Sequence, residues 1–466
     1  MVNKKILAVL AAVIVVAAVL VAVWQLYLIP LSPSPEARPI KIGLVAPLSR
    51  PVGPDMDRAA KMAVDEINNA GGIYVAEWHT KVNITLVTAD TVDDSPGKAV
   101  APVTRAIDED QVDLLIGGYA SAGTLANEIV AIDNRVPYII TGASTQLVTR
   151  RGPQGNYGGL PEGDPQRITD AVGMSYMFHY CTTTYHYSRT VVHFFAEEMK
   201  PLLDSTYGFN ASRKLRLAVI YRNDAFGIGV VQASRYWIQN DSLPIEIVIE
   251  RPVQTTTTAF QTDLTAVKDA NPDAVYVVDN PDRTPEIVKE GLVDVGLKSV
   301  YINVENNEVP TFYTLLGANG DKQLLESKFA PFAGPPYYID AIGTYVTDYQ
   351  QRYAIVPGMM GADTYDAFYI AKNAIERAGT INKTKVRDAL ETTNMTQMLI
   401  MTETGRIQFS TGVDYHEIAP VTFVEQLFWN QTIGECRPKI VWPESTPGVA
   451  TLKQTDFVLS TWKPLV

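Results

Sequence analysis

Four small hydroxyl residues, Ser121, Thr124, Ser144 and Thr145, carry the clearest chemistry in this sequence. They lie in one stretch, LLIGGYASAGTLANEIVAIDNRVPYIITGAST, from Leu114 to Thr145. The stretch opens with an apolar run, Val112–Ile116, too short for a helix and ended by Gly117-Gly118, which reads as a buried strand. A helix follows, with Leu125, Ile129 and Ile132 at helical spacing. A second strand, Tyr138–Thr141, runs into Gly-Ala-Ser-Thr. Two strand ends therefore each deliver a loop of small hydroxyl residues, and the first loop starts a helix. In a parallel α/β sheet such loops line the ligand crevice. Free N–H groups at a helix start, joined by hydroxyls, suit a carboxylate. The same hydroxyls serve equally as helix caps, so the stretch alone leaves both roles open.

Around this stretch strand and helix alternate along most of the chain. Ile40–Ala46 is a strand, Met56 to Ile67 carries a helical stripe stopped by Gly71-Gly72, and Val82–Ala89 is a strand. Arg150–Arg167, rich in Gly and polar residues, reads as an inserted loop. A helix is expected over Ser188–Leu203. The βα rhythm restarts at Leu215–Tyr221, followed by a helix at Val230–Gln239 and further strands at Ile245–Glu250, Ala274–Val278 and Val300–Asn303. Helices at Tyr338–Tyr353, Thr364–Ala378 and Lys385–Thr392 come next. GRIQFS and APVTFVEQLFWNQTIGECRPKIVWPE then read as antiparallel strands. The fold class is α/β, with two doubly wound units facing each other across a cleft.

Composition narrows the function classes. The net charge of −12 and the pI near 5.0 argue against nucleic acid. The sequence offers no zinc spacing, P-loop, G-x-G-x-x-G or G-x-S-x-G, and its 5 histidines are scattered, so no metal or cofactor is expected. Without a nucleophile and its base, or paired carboxylates in a cleft, the chain is not expected to be an enzyme.

The N-terminal part has a separate character. Residues 6–29 are apolar apart from Gln25, and as a helix would span about 36 Å, enough for a bilayer core. Lys4 and Lys5 precede this run, which as an uncleaved anchor places residues 1–5 in the cytoplasm and the rest outside the cell membrane; a cleaved signal peptide is the rival reading. Residues 30–39 form a Pro-rich tether. Sequons at Asn83, Asn210, Asn240, Asn382, Asn394 and Asn430 fit an exterior, glycosylated chain. Cys181 and Cys436 are the only cysteines. An oxidised pair and two buried thiols are both open readings.

Four segments in order carry a resemblance to a known family: IKIGLVAPLSRPVG with AAKMAVDEINNAGGI, then the Leu114–Thr145 stretch, then TTAFQTDLTAVKDANPDAVYV, then ADTYDAFYIAKNAIERAG. Together they look like type I periplasmic binding proteins, and within them the branched-chain amino acid (Leu/Ile/Val) receptors of ABC transporters. The resemblance covers about 40–445. It implies two Rossmann-like lobes joined by three crossovers: 40–180 and 310–411 in the first, 181–309 and 412–445 in the second, with 446–466 as a tail. The first crossing falls near Cys181, the return near Asn307–Pro310, and the last near Thr411–Ile418.

Position by position, the resemblance implies that Ser121 and Thr145 hold a ligand carboxylate. It likewise makes the Ala143 carbonyl and Glu305 the acceptors for the ligand ammonium. Phe226 stands where the family often has Tyr, and Asp279-Asn280 where an aromatic is usual, which leaves a polar or basic amino acid open. Tyr365 and Asp366 belong to the family's helix pattern. The expected function is capture of an amino acid, of the branched-chain type first, in the cleft between the lobes and its delivery to an ABC permease, with the membrane helix as tether. A sensing ectodomain of the same fold, or a receptor for another small carboxylate or amide, is the alternative.

Overall fold

The computed structural model describes residues 15–18, 36–396, 398–446, 449 and 451–459. The expected membrane segment 6–29 lies outside these residues except for 15–18, which are helical. Among the described residues no helix is long and apolar enough to cross a membrane.

The first unit is built on β1 (Ile40–Ala46). After it come helix α1 (Gly53–Asn69) and a small antiparallel pair, β2 (Ile73–Val75) and β3 (Thr80–Val82). β4 (Ile84–Asp90), α2 (Pro96–Asp108), β5 (Leu114–Gly117), α3 (Ser121–Asp133), β6 (Tyr138–Ile140) and β7 (Met177–His179) follow. The strands run in parallel in the order β4-β1-β5-β6-β7. Their near-continuous apolar sequences suit strands covered on both faces. On one face Leu115, Tyr138 and Ile140 pack with Val103, Ile107, Leu125 and Ile132 of α2 and α3. On the other, Ile42, Leu114 and Ile116 pack with Met56, Ala60 and Ile67 of α1.

The second unit begins with α4 (Thr184–Phe194), which passes through a wide turn at Phe195–Met199. It continues with β8 (Leu215–Arg222), α5 (Ala225–Asn240), β9 (Ile245–Val253), α6 (Gln261–Asp269), β10 (Ala274–Val278), α7 (Thr284–Lys289) and β11 (Val300–Asn303). α8 (Pro310–Leu316) and β12 (Leu324–Ser327) come next. The chain then leaves for α9 (Asp340–Tyr353), α10 (Met359–Ala378) and α11 (Lys383–Glu391), which complete the first unit. β13 (Phe423–Asn430) and β14 (Glu435–Trp442) return to the second sheet, whose order is β14-β13-β12-β11-β10-β8-β9.

The return crossing therefore differs from the expected Asn307–Pro310. β12 lies parallel to β11, with Ile302 opposite Leu324, and antiparallel to β13, with Ser327 opposite Phe423. It fills the gap that would otherwise separate β11 from β13, so the chain stays in the second unit until Lys328. The reading missed it because LLES is short and ends in polar residues. Two further expectations change. α4 starts at Thr184, one turn before Ser188. GRIQFS forms only a bridge from Ile407 to Met395. The β2–β3 pair was not anticipated.

The two cysteines are free and buried. Cys181 lies at the first crossing against the Ala143 carbonyl, and Cys436 on β14 against the Gly317 carbonyl, so the pairing left open above does not form.

The end of β5 has a strict steric requirement. Gly117 sits at φ +123°, and a Cβ there would lie 2.1 Å from the Val45 carbonyl oxygen. Gly117→Ala is expected to destabilise the protein by about 2–4 kcal/mol, from left-handed strain plus overpacking. Urea unfolding followed by circular dichroism measures it; an unchanged midpoint would show that the β1–β5 contact yields at no cost.

Candidate functional site

The loop from β5 to α3 is pinned from below. Asp94, in the β4–α2 loop, accepts the backbone N–H of Tyr119 at 3.1 Å and that of Ala120. Burial pushes its carboxyl up to about 6. The first N–H groups of α3 have no intrahelical partner, which makes this helix start a donor site. The Ser121 hydroxyl accepts from the Thr145 backbone N–H at 3.3 Å and so joins the loops after β5 and β6.

A cleft separates this wall from the second unit. The first unit lines it with Tyr119, Ala120, Ser121, Gly142 and Ser144, and the second with Arg222, Asp224, Phe226, Asn280 and Asn306. The walls touch. The Tyr119 hydroxyl donates to Asn280 Oδ1 at 3.3 Å, and Asn306 Nδ2 donates to the same oxygen at 3.1 Å. At the rim Arg50 of the first unit pairs with Asp282 of the second at 2.6 Å. About 20 Å³ remains between the walls, room for roughly one water. A solute enters only if the walls part.

Three of the expected ligand residues, Ser121, Phe226 and Asn280, line this cleft. The other three lie beside it. Thr145 is buried and presents its backbone N–H to Ser121. The Ala143 carbonyl accepts from His179 Nε2 at 2.7 Å. Burial lowers the His179 imidazole to about 3, so the ring is neutral and donates from Nε2. Glu305, next to Asn306, is fully buried. Its Oε1 accepts from the Thr182 hydroxyl at 3.2 Å and lies 3.2 Å from Lys328 Nζ, while its Oε2 has no partner.

Sequence reasoning missed Tyr119, Arg222, Asp224 and Asn306. Arg222 and Asp224 pair at 2.8 Å, and Arg222 lies 3.8 Å from Asp279. Burial pushes the Asp279 carboxyl up to about 6, against the pull of Arg283 and Arg222. The charged run Arg-Asn-Asp at the C-terminal end of β8 was the available signal. Asn306 had none beyond its place beside Glu305.

Behind the cleft the crossings converge on Lys328. Its ammonium is fully buried, 3.2 Å from Glu305 Oε1 and 2.9 Å from Asp363 Oδ2 of α10. One cation thus serves two carboxylates, one from each unit. Burial raises Asp363 to about 8 and also raises Glu305, with Lys328 opposing both shifts. The two acids and the single ammonium balance when one carboxyl keeps its proton.

Comparison with known proteins bears on this geometry. A family profile described as periplasmic binding protein matches residues 39–426. A Pseudomonas aeruginosa protein named "Amino acid binding protein" is 24% identical over 219 residues, 47% of each chain, so the match spans about half the length of this curated relative. The structure of the branched-chain amino acid transporter substrate binding protein LivJ from Streptococcus pneumoniae, in complex with isoleucine, superposes with a TM-score of 0.66. It is 19% identical, and the superposition covers 87% of this chain and 100% of that one. A solute binding protein of an ABC transporter from Rhodopseudomonas palustris BisB5, in complex with 3,4-dihydroxybenzoic acid, gives 0.67. It is 18% identical, over 89% and 98% of the two chains.

The shared ammonium sets a pH dependence. A carboxyl raised in the folded state contributes stability below its unfolded pKa and loses it as pH rises through the folded value. For Asp363 the loss spreads between its ordinary value of 3.8 and about 8, and is complete above that. Wild type should therefore lose stability from about pH 5 to about pH 8 and level off above it, and Asp363→Asn should show a shallower fall in urea midpoints over that range. Parallel curves would place the titration elsewhere.

Proposed function

The chain belongs to the periplasmic binding protein family, and from that premise we propose that it is an extracytoplasmic receptor which captures an amino acid between its two units and passes it to an ABC permease. The observation that carries this reading is the pairing of opposite chemistries at one cleft. The first wall offers the start of α3 with the Ser121 and Thr145 groups, which suit a carboxylate. Beside the other wall lies Glu305, with one carboxylate oxygen free of partners, which suits an ammonium. The relative named for amino acid binding and the isoleucine complex of LivJ support it. Closing the walls on the solute stabilises the closed form by the difference in affinity between the two forms.

A second reading has its own observation. The Ala143 carbonyl, an expected ammonium acceptor, is already engaged by His179. That favours a carboxylic acid without an amine, the kind of ligand present in the R. palustris complex.

Matched pairs separate the two readings. Leucine against 4-methylpentanoate, and phenylalanine against 3-phenylpropanoate, differ only in the α-amino group. Under the first reading calorimetry gives tighter binding of the amino acid in at least one such pair; a preference for the deaminated acid throughout selects the second. Glu305→Gln is expected to cost about 2–5 kcal/mol of amino acid affinity, about thirtyfold or more. The unliganded fold should persist because Lys328 keeps Asp363. Ser121→Ala should cost about 0.5–1.5 kcal/mol, or up to about 3 if its hydroxyl meets a carboxylate.

Residues 6–29 would hold the receptor at the membrane with its cleft outside. Membrane fractions treated with external protease should then lose residues 40–466; recovery of the protein from the cytosol would refute the tether.

A further inference from the structure

The group at the hinge holds an unequal count of charges: Glu305 from the loop after β11, Asp363 from α10, and Lys328 from the crossing after β12. All three side chains are fully buried. Glu305 Oε1 and Asp363 Oδ2 approach the ammonium at 3.2 and 2.9 Å, while Glu305 Oε2 and Asp363 Oδ1 have no partner. Two ionised carboxylates around one ammonium would leave a net negative charge in a dry interior, a costly arrangement. The neighbours supply no further cation. Thr182 donates a hydroxyl to Glu305. Glu326 of β12 has both oxygens unpartnered, and burial holds its carboxyl well above the usual range. Asp366 of α10 accepts from the Tyr180 hydroxyl and the Leu399 and Ile400 N–H groups. Lys328 is the one cation facing Glu305 among the described residues.

We propose that Glu305 and Asp363 hold one exchangeable proton between them, and that the ammonium of an incoming ligand displaces it. Lys328 and Asp363 thereby become positioning residues for capture. This rests on the amino acid reading given above. When the ligand ammonium reaches Glu305, two cations face two carboxylates, Lys328 with Asp363 and the ligand with Glu305. The protonated carboxyl loses its O–H proton to solvent, no covalent bond to carbon or nitrogen changes, and charge is conserved: one cation enters and one proton leaves. Burial raising both acids, with Asp363 near 8, agrees with a proton held at neutral pH.

The exchange has a direct readout. The full chain is titrated by calorimetry with L-leucine and with each of the other standard amino acids, near pH 7, in buffers of different ionisation enthalpy. The slope of observed heat against buffer enthalpy is expected to give close to one proton released per amino acid bound. The same amino acid should bind about tenfold more weakly for each pH unit below about 8. 4-Methylpentanoate, which lacks the ammonium, should release none. Asp363→Asn removes the spare acid and should abolish the release, whereas a purely structural role for Asp363 would change affinity and leave the proton count intact. Lys328→Met, if it folds, should retain the release, because its two acids then share the ligand ammonium alone. Amino acid binding with no proton released in wild type overturns the exchange and leaves the receptor reading standing. Failure of every amino acid to bind overturns both.

Discussion

One buried ammonium, that of Lys328, joins the two halves of this protein. Its partners come from different units, Asp363 from α10 and Glu305 from the loop after β11. It sits where the chain passes from the second unit back to the first, and Thr182 of the first crossing reaches Glu305. The third crossing runs beside the first, with the Ile418 N–H donating to the His179 carbonyl. A buried charge is tolerated only when its partners are held in place, and losing one partner typically costs about 3–5 kcal/mol. The junction of the two units therefore has a fixed electrostatic centre.

The two walls of the cleft are made differently. The first comes from strand ends and the start of α3, held by backbone contacts such as Gly118 N–H to the Val45 carbonyl and Thr141 N–H to the Gly117 carbonyl. Such a wall presents donors at fixed positions, which suits one constant chemical group. The second comes from side chains, Arg222, Asp224, Asn280 and Asn306, which hold one another by ion pairs and amide hydrogen bonds. Changes there would alter the shape and polarity of the cleft without disturbing the sheet.

Much of the fold was legible because parallel strands buried on both faces leave unbroken apolar runs, as in Leu114–Ile116 and Val275–Val278, and helix stops leave glycines, as at Gly379. β12 was not legible. Its four residues become a strand only because β11 and β13 flank them, and that neighbourhood is not local. At the site, Ser121 was readable from its loop after a strand end, whereas Phe226 and Asn280 came only through the family resemblance. Lys328 and Asp363 were not, since lysines and aspartates are ordinarily solvated and nothing nearby in sequence marks these two as buried. The position of Glu305 could be inferred from its strand, but its partner could not, because Lys328 is brought to it by the late return crossing.

The pair between Arg50 and Asp282 differs in kind from the one at Lys328. Both side chains are about a third exposed, so dissolved ions reach them. Such a clasp weakens as ionic strength rises, while the interior contacts hold. Saltier surroundings would thus shorten the dwell time of the shut form more than they change the fit of what is held inside. The protein's release rate would then follow the medium it is bathed in, through a contact that never touches the solute.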